Sequence, residues 1–169
     1  HMGRMSMQKI PIFLVEAFAE VVKLKPDSRF LYVGEGPMEP DIRRRAEELG
    51  VLDKMVFTRG MVDNPQDYLC GMDCYLLASL FEGLGFGVIG AVCSGLCCFA
   101  SDVIPEEARV GELVETFPLD IDKARLARRI LERQAGLGER KEQRALLRGL
   151  HYDMASQKAQ IEAIYSGKR

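Results

Sequence analysis

The sequence predicts an α/β fold, a Rossmann-like parallel sheet with helices on both faces. Short apolar runs alternate along the chain with longer stretches of helical periodicity. Glycine-rich turns follow several of the apolar runs, and strands that alternate with helices form parallel βαβ units. The chain has 169 residues, of which 47% are hydrophobic and 28% charged, which is enough for one globular domain and too little for two. We therefore expect a single domain over residues 1–169.

Periodicity and turn residues place the individual elements. Apolar side chains at helical spacing indicate amphipathic helices, and short apolar runs bounded by glycine, proline or aspartate indicate buried strands. The predicted strands are 29–33, 55–58, 74–78, 97–100 and 114–117. The predicted helices are 10–24, 39–49, 65–70, a helix that ends at 94, and C-terminal helices within 121–166, at about 121–137, 139–150 and 153–165.

Charge and apolar content exclude several classes of protein. The 23 basic and 25 acidic residues give a formal net charge of -2, so neither a nucleic acid nor a strongly anionic membrane is expected as a partner. No apolar run approaches the roughly 20 residues of a membrane helix and no secretory leader opens the chain, which predicts a cytoplasmic location. His1 and Met2 resemble a cloning scar. Five cysteines in apolar stretches, an odd number, are expected to be free thiols that pack as small hydrophobic side chains, not metal ligands.

The loops that follow the strands are where a Rossmann-like sheet binds its ligand. Gly34 and Gly36 follow the first predicted strand, but the position for the third glycine of a dinucleotide motif holds Glu39. A tight strand-to-helix turn is therefore a simpler interpretation than a dinucleotide site. The loop 82–87 is more informative, because it places three glycines before a helix. The free backbone N–H groups at such a helix start suit a phosphate.

Charged residues near the loop 82–87 favour a sugar diphosphate as the ligand. Glu82 would repel a phosphate but would accept hydrogen bonds from sugar hydroxyls. Arg4 and Lys9 lie at the end of a truncated first strand and at the start of the following helix, where they would neutralise phosphate charge. The alternative interpretation of these two cations is a solvated pair near the chain terminus.

Several motifs together resemble the C-terminal, donor-binding domain of retaining GT-B glycosyltransferases, the group called family 4 or glycosyl transferases group 1. The motifs are a Gly-Arg and a Gln-Lys pair at 3–4 and 8–9, a valine-glycine-acid-glycine-proline turn within 30–37, a serine-x-x-glutamate-glycine-x-glycine loop at 79–85, and matching residues at 91–96 and 101–102. The resemblance covers nearly the whole chain and implies the C-terminal half of a GT-B fold. It does not identify the sugar.

The resemblance implies roles for individual residues. Arg4 and Lys9 would hold the donor pyrophosphate and stabilise the departing nucleoside diphosphate electrostatically. Glu82 would contact the donor sugar, and these three side chains are the predicted catalytic residues. The residues implied to bind the donor through backbone groups are Gly85, Phe86 and Gly87 at the phosphates and sugar, and Arg59, Gly60 and Met61 at the nucleobase.

Position 90 departs from the family pattern. The second glutamate of a Glu-x7-Glu motif normally grips the nucleotide ribose there, and this chain has Gly90 instead. Loss of that charged hydrogen-bonding group would cost on the order of 1.5 to 3 kcal/mol in nucleotide binding. A different donor geometry, a degenerate paralogue and an altered sequence are all open explanations.

The resemblance implies the donor-binding half of a glycosyltransferase of polysaccharide biosynthesis, without its N-terminal acceptor domain. The donor would be a UDP-, GDP- or ADP-sugar, and no metal or other cofactor is implied. The acceptor would be a glycan, a lipid or a polysaccharide bound by the N-terminal domain, so the isolated chain is expected to recognise the donor without turnover. Peripheral membrane contact and a homodimer are left open. The alternatives are a non-catalytic binding or interaction module, a nucleotide-sugar epimerase-like domain and, least favoured, a dehydrogenase.

Overall fold

The computed structural model describes residues 1–58, 60, 62–136, 148–149 and 152–166. Strands and α-helices alternate as far as the fourth strand, the fifth strand follows a 3-10 turn, and the last two described α-helices come after it. The strands are β1 (Phe30–Tyr32), β2 (Met55–Phe57), β3 (Cys74–Leu77), β4 (Cys97–Ser101) and β5 (Val114–Phe117). The α-helices are α1 (Pro11–Leu24), α2 (Glu39–Glu48), α3 (Pro65–Cys70), α4 (Phe86–Cys93), α5 (Lys123–Gly136) and α6 (Met154–Tyr165). Short 3-10 turns cover Met7–Lys9, Leu52–Lys54 and Glu106–Ala108.

The strand pairs of the described chain are all parallel. β1 pairs with β2, and β3, β4 and β5 form a second group with β4 in the centre. Leu31 lies opposite Val56 in the first group, and Leu76 lies opposite Phe99 in the second. Parallel strands connected through helices are the arrangement that the alternating sequence pattern predicted. The Rossmann-like α/β fold class is therefore confirmed.

Residues 1–3 connect the two groups of strands. The Val33 N–H donates to the His1 carbonyl oxygen at 2.8 Å, and a parallel bridge joins Met2 to Val33 beside β1. On the other side, the Tyr75 hydroxyl of β3 donates to the Met2 carbonyl oxygen at 3.0 Å. The segment therefore lies between β1 and β3, where it takes the place of the truncated first strand predicted from the sequence.

Successive residues of β3 and β4 are buried on opposite faces of the sheet. Leu76 and Phe99 pack on one face with residues of α1, α2 and α5. Leu77 and Cys98 pack on the other face with residues of α3 and α4. Because helices cover both faces, 74–77 and 97–100 are apolar on both sides of the sheet, which explains these continuous apolar runs in the sequence. Full burial of a side chain such as Leu or Phe stabilises the fold by about 1.5 to 3 kcal/mol.

The first helix begins at Pro11 and not at the predicted residue 10. Ile10 has φ 40° and ψ 57°, in the left-handed region that β-branched residues rarely adopt. This conformation costs about 1 to 2 kcal/mol and turns the chain sharply between the turn Met7–Lys9 and α1. Ile10 is half-buried against the core on one face of the sheet. Pro11 takes the first helical position, where its missing N–H group is not needed.

The C-terminal predictions are only partly within the described residues. α5 lies within the predicted range 121–137 and buries one face against the core. The predicted helix 139–150 falls outside the described residues except at 148–149. α6 begins after Asp153, whose carboxylate accepts a hydrogen bond from the Ser156 N–H at 3.0 Å and caps the helix. None of the described helices is both long and apolar enough to cross a bilayer.

In a chain that begins at His1, the terminal amine provides a test of the packing between β1 and β3. The His1 ammonium donates to the Leu31 carbonyl oxygen at 2.9 Å, and burial lowers its pKa from 8.0 to about 5. Between these values the unfolded chain binds a proton that the folded chain does not bind. The free energy of unfolding should therefore rise with pH from 5 to 8, at a limiting slope of about 1.4 kcal/mol per pH unit from this group.

Urea unfolding at several pH values between 5 and 8 measures this slope. The matched control is the same chain with an acetylated amino terminus, which carries no titrating amine and should have a smaller slope. Equal slopes for the two forms would show that the terminus is solvated.

Candidate functional site

Two adjacent cavities lie among the loops at the carboxyl ends of the strands, where sheets of this kind bind ligands. The larger cavity, of about 740 Å³, is lined by the turn 34–36 and by Gly60. The smaller cavity, of about 330 Å³, is lined by Lys9 and by the glycine-rich loop 82–87. Met2 lines both cavities, so a single extended ligand could occupy them together.

Lys9 and Glu82 form an ion pair at the smaller cavity. Lys9 Nζ donates to Glu82 Oε1, and the Ser79 hydroxyl donates to the same oxygen at 2.5 Å. The two charged side chains are only 18% and 8% exposed. Among the described residues Lys9 Nζ has no second acceptor, and an ammonium has three N–H donors. The pair therefore offers both a cation for a phosphate and a carboxylate for a hydroxyl group.

The start of α4 presents backbone N–H groups at the same cavity. Gly85 precedes the helix with φ 72° and provides no side-chain cap. The Val88 N–H donates to the Gly85 carbonyl oxygen at 2.9 Å, but the described residues supply no acceptor for the N–H groups of Phe86 and Gly87. A helix start also carries partial positive charge, so these two groups are suited to an anion.

Gly87 is required by the packing of α4 on β3. A Cβ atom at this position would lie 2.3 Å from the Tyr75 hydroxyl oxygen, so no larger residue fits without movement. Tyr75 is fully buried, and burial raises the pKa of its hydroxyl above the usual range. The hydroxyl therefore stays protonated and donates to Met2. Tyr75 thus ties the helix start to the segment 1–3.

Gly34 and Gly36 have a structural role. A Cβ atom on Gly34 would lie 2.3 Å from the Gly3 carbonyl oxygen, and one on Gly36 would lie 2.5 Å from the Met5 carbonyl oxygen. The two glycines let the chain at 3–5 pass directly over the turn. This geometry agrees with the tight-turn interpretation and gives no support to a dinucleotide motif.

Arg4 and Lys9 line different cavities. Arg4 is exposed and lines the larger cavity, although the sequence predicted that both cations reach one ligand edge. Glu35 also lines the larger cavity, and its Oε2 would lie 3.3 Å from a Cβ atom on Gly60. The predicted nucleobase residues Arg59 and Met61 lie outside the described residues. Among the described residues, the larger cavity therefore combines the cation of Arg4 with carboxylate acceptors for N–H or hydroxyl groups.

Gly90 lies in the second half of α4 and lines neither cavity. A Cβ atom there would contact Leu69 Cδ1 at 3.4 Å, close to an ordinary van der Waals distance. The backbone thus has room for a side chain at this position, and the glycine is not required by packing.

A parallel α/β domain with an uncapped helix start among the loops at the carboxyl ends of its strands is typical of proteins that bind phosphorylated ligands. Residues 1–133 match the family described as glycosyl transferases group 1, and the chain belongs to that family. The resemblance found in the sequence motifs is therefore confirmed. The family assignment covers the strands β1 to β5 and both cavities.

Three relatives found by sequence comparison are all longer than this chain. A UDP-Gal:α-D-GlcNAc-diphosphoundecaprenol α-1,3-galactosyltransferase of Escherichia coli is 27% identical over 122 residues, which are 71% of this chain and 32% of the relative. An uncharacterized glycosyltransferase of Methanocaldococcus jannaschii is 29% identical over 102 residues, which are 60% and 25% of the two chains. The GtfA subunit of a UDP-N-acetylglucosamine–peptide N-acetylglucosaminyltransferase of Streptococcus gordonii is 35% identical over 101 residues, 60% and 20% of the two chains. The chain thus spans between a fifth and a third of these relatives.

Solved structures share the fold. The pneumococcal O-GlcNAc transferase GtfA, solved with UDP and GlcNAc, superposes with a TM-score of 0.70 at 19% identity, covering 97% of this chain and 34% of that protein. The lipopolysaccharide outer core galactosyltransferase WaaB superposes with a TM-score of 0.70 at 21% identity, covering 98% and 48%. This chain therefore has the Rossmann-like fold of one half of GT-B glycosyltransferases.

The contact between Gly87 and Tyr75 predicts a compensating pair of substitutions. Gly87→Ala should destabilise the fold by about 1 to 3 kcal/mol, because its Cβ atom overlaps the Tyr75 hydroxyl. Tyr75→Phe removes that oxygen and should recover a large part of the loss in the double variant. Urea unfolding of the wild type, both single variants and the double variant measures the coupling. Additive losses would show that the hydroxyl is not what excludes a side chain at position 87.

Proposed function

We propose that this chain binds the nucleotide-diphosphate-sugar donor of a retaining glycosyltransferase. The observation that carries the proposal is the smaller cavity, where the Lys9–Glu82 pair faces the uncapped start of α4. A sugar diphosphate needs a cation and N–H donors for its phosphates and an acceptor for its hydroxyl groups. The smaller cavity supplies all three.

The donor has a natural order across the two cavities. Its diphosphate would lie at the N–H groups of Phe86 and Gly87, within reach of Lys9, and its sugar would lie at Glu82. The nucleoside would then extend past Met2 into the larger cavity, which is more than twice as large. The backbone around Gly60 would contact the nucleobase there. Arg4 would lie beside the diphosphate or the ribose.

The chemistry assigned to these residues is stabilisation of the leaving group. When the bond between the sugar and the diphosphate breaks, negative charge grows on the departing nucleoside diphosphate. Lys9, Arg4 and the helix start would stabilise that charge more strongly than the charge of the intact donor. Glu82 would hold the sugar while the bond breaks. No metal ion or other cofactor is included in this proposal.

The acceptor would be bound by another part of the protein, and the proposal covers a glycan, a lipid or a polysaccharide. Relatives are three to five times as long as the aligned region, so most of their length lies outside it. The Escherichia coli relative transfers galactose to a diphosphoundecaprenol-linked sugar, which supports a lipid-linked acceptor and peripheral contact with a membrane. We propose that the isolated chain binds donor without turnover.

A non-catalytic nucleotide-sugar-binding module is the second candidate. Gly90 favours it, because a Cβ atom fits at this position and the chain nevertheless lacks the family's ribose-binding glutamate there. Such a module would retain affinity for phosphate but would not discriminate between sugars.

The nucleotide panel tests the proposal. Calorimetric titration with UDP, GDP, ADP and their sugar conjugates should show binding to one base, and uridine is expected first because two relatives use UDP-sugars. Lys9→Ala should weaken binding roughly tenfold to a hundredfold, the cost of one charge-assisted hydrogen bond. The control is Lys54→Ala. Lys54 directly precedes β2, at the amino ends of the strands and away from both cavities, and it donates to the Pro26 carbonyl oxygen. A folded chain that binds none of these nucleotides contradicts the proposed function.

Substitution at position 90 separates the two candidates. Gly90→Glu should strengthen nucleotide binding about tenfold by adding a carboxylate for the ribose hydroxyls. Gly90→Ala is the matched control, because it removes the glycine and adds no carboxylate. An equal affinity for the two variants would favour the non-catalytic module.

A further inference from the structure

Ser101, the last residue of β4, holds Ser79 just beyond the end of β3. Leu77 and Ala100 are the last residues that β3 and β4 pair with each other. Past them, the Ser79 N–H donates to Ser101 Oγ at 3.0 Å, and Ser101 Oγ donates to the Ser79 carbonyl oxygen at 3.0 Å. One hydroxyl therefore bonds both backbone groups of Ser79 in place of a strand partner. Both serines are fully buried.

The Ser79 side chain in turn holds one oxygen of Glu82. Its hydroxyl donates to Glu82 Oε1 at 2.5 Å, and Lys9 donates to the same oxygen. No described residue donates to Glu82 Oε2, although Glu82 lines the smaller cavity. Because both protein donors bond one oxygen, the other oxygen is left to accept from a ligand.

Packing alone does not explain the two hydroxyl groups. Burying a hydroxyl costs free energy unless it forms hydrogen bonds, so alanine would fill the same space at lower cost if only packing mattered. The hydroxyls of Ser79 and Ser101 instead form a continuous chain of hydrogen bonds from the end of β4 to Glu82 Oε1. These hydrogen bonds connect the Glu82 carboxylate to the sheet and restrict its movement.

We propose that Ser79 and Ser101 are positioning residues that orient Glu82 so that its Oε2 accepts a hydrogen bond from the donor sugar. Neither serine touches the sugar in this proposal, and both act through Glu82. The proposal rests on the proposed function, in which Glu82 contacts the sugar.

The first measurement compares the affinities of UDP, UDP-galactose and UDP-N-acetylglucosamine. The relevant quantity is the ratio by which the sugar strengthens binding over UDP alone. Ser79→Ala should reduce this ratio by about five- to tenfold and leave the affinity for UDP within about twofold, since only the carboxylate is displaced. Ser101→Ala should reduce it in the same direction. The control is Ser28→Ala. Ser28 precedes β1 at the amino ends of the strands, so this substitution should leave the ratio unchanged.

Glu82→Ala removes the carboxylate itself, so its effect on the ratio is the largest loss that the serine substitutions can produce. If Glu82→Ala loses the ratio and Ser79→Ala retains it, the serines do not position the carboxylate and the proposal is overturned. A uniform loss of affinity for UDP and both sugar conjugates in Ser79→Ala would also overturn it, because that result indicates a general structural defect.

The second measurement needs no ligand. Urea unfolding of the wild type, Ser79→Ala, Glu82→Ala and the double variant gives four equilibrium constants. If the Ser79 hydroxyl holds Glu82, the double variant should depart from the product of the single effects by at least about fivefold. Additive effects overturn the positioning role. Failure of the wild type to bind any nucleotide overturns the proposed function instead, so the two failures are distinguishable.

Discussion

The hydrogen bonds that hold residues 1–3 between β1 and β3 determine the placement of the whole site. They join the two groups of strands into one surface, and they put Met2 where both cavities meet. The turn 34–36 needs glycine at its first and last positions, because this segment and the residues after it pass directly over the turn. Tyr75 extends the same arrangement to α4, because its hydroxyl both bonds Met2 and sets the closest approach of the helix.

Charge is distributed unevenly over this surface. In the smaller cavity the cation of Lys9 is already matched by Glu82, and the remaining positive potential comes from the backbone at the start of α4. Because Glu82 pairs with it, Lys9 is not left as an unpaired, half-buried charge in the structure without a ligand, which would be costly. In the larger cavity Arg4 and Glu35 are exposed, so water screens their charges more strongly than those of the half-buried Lys9 and Glu82.

The sequence predicts the fold well because both faces of the sheet are buried, so β3 and β4 appear as continuous apolar runs. It also identifies Lys9 and Glu82 as members of one site through their family motifs. It cannot show that they bond each other, because they are 73 residues apart and meet only through the packing of the loop after β3 on the turn before α1. The role of Ser101 is hidden for the same reason. The helix start at Pro11 was misplaced by one residue because a hydrophobic pattern includes Ile10, whereas its backbone is left-handed.

That left-handed residue directly follows Lys9 and bears on the proposed contact between the cation and a ligand. A glycine in its place would adopt the same conformation without strain, but it would also sample many others and add to the entropy that binding must remove. The branched side chain of Ile10, held against the core, limits the chain to one direction at this point. The strain of about 1 to 2 kcal/mol is thus set against preorganisation of the ammonium group. The free-energy cost of orienting the Lys9 ammonium group is therefore incurred when the chain folds and not when a ligand binds.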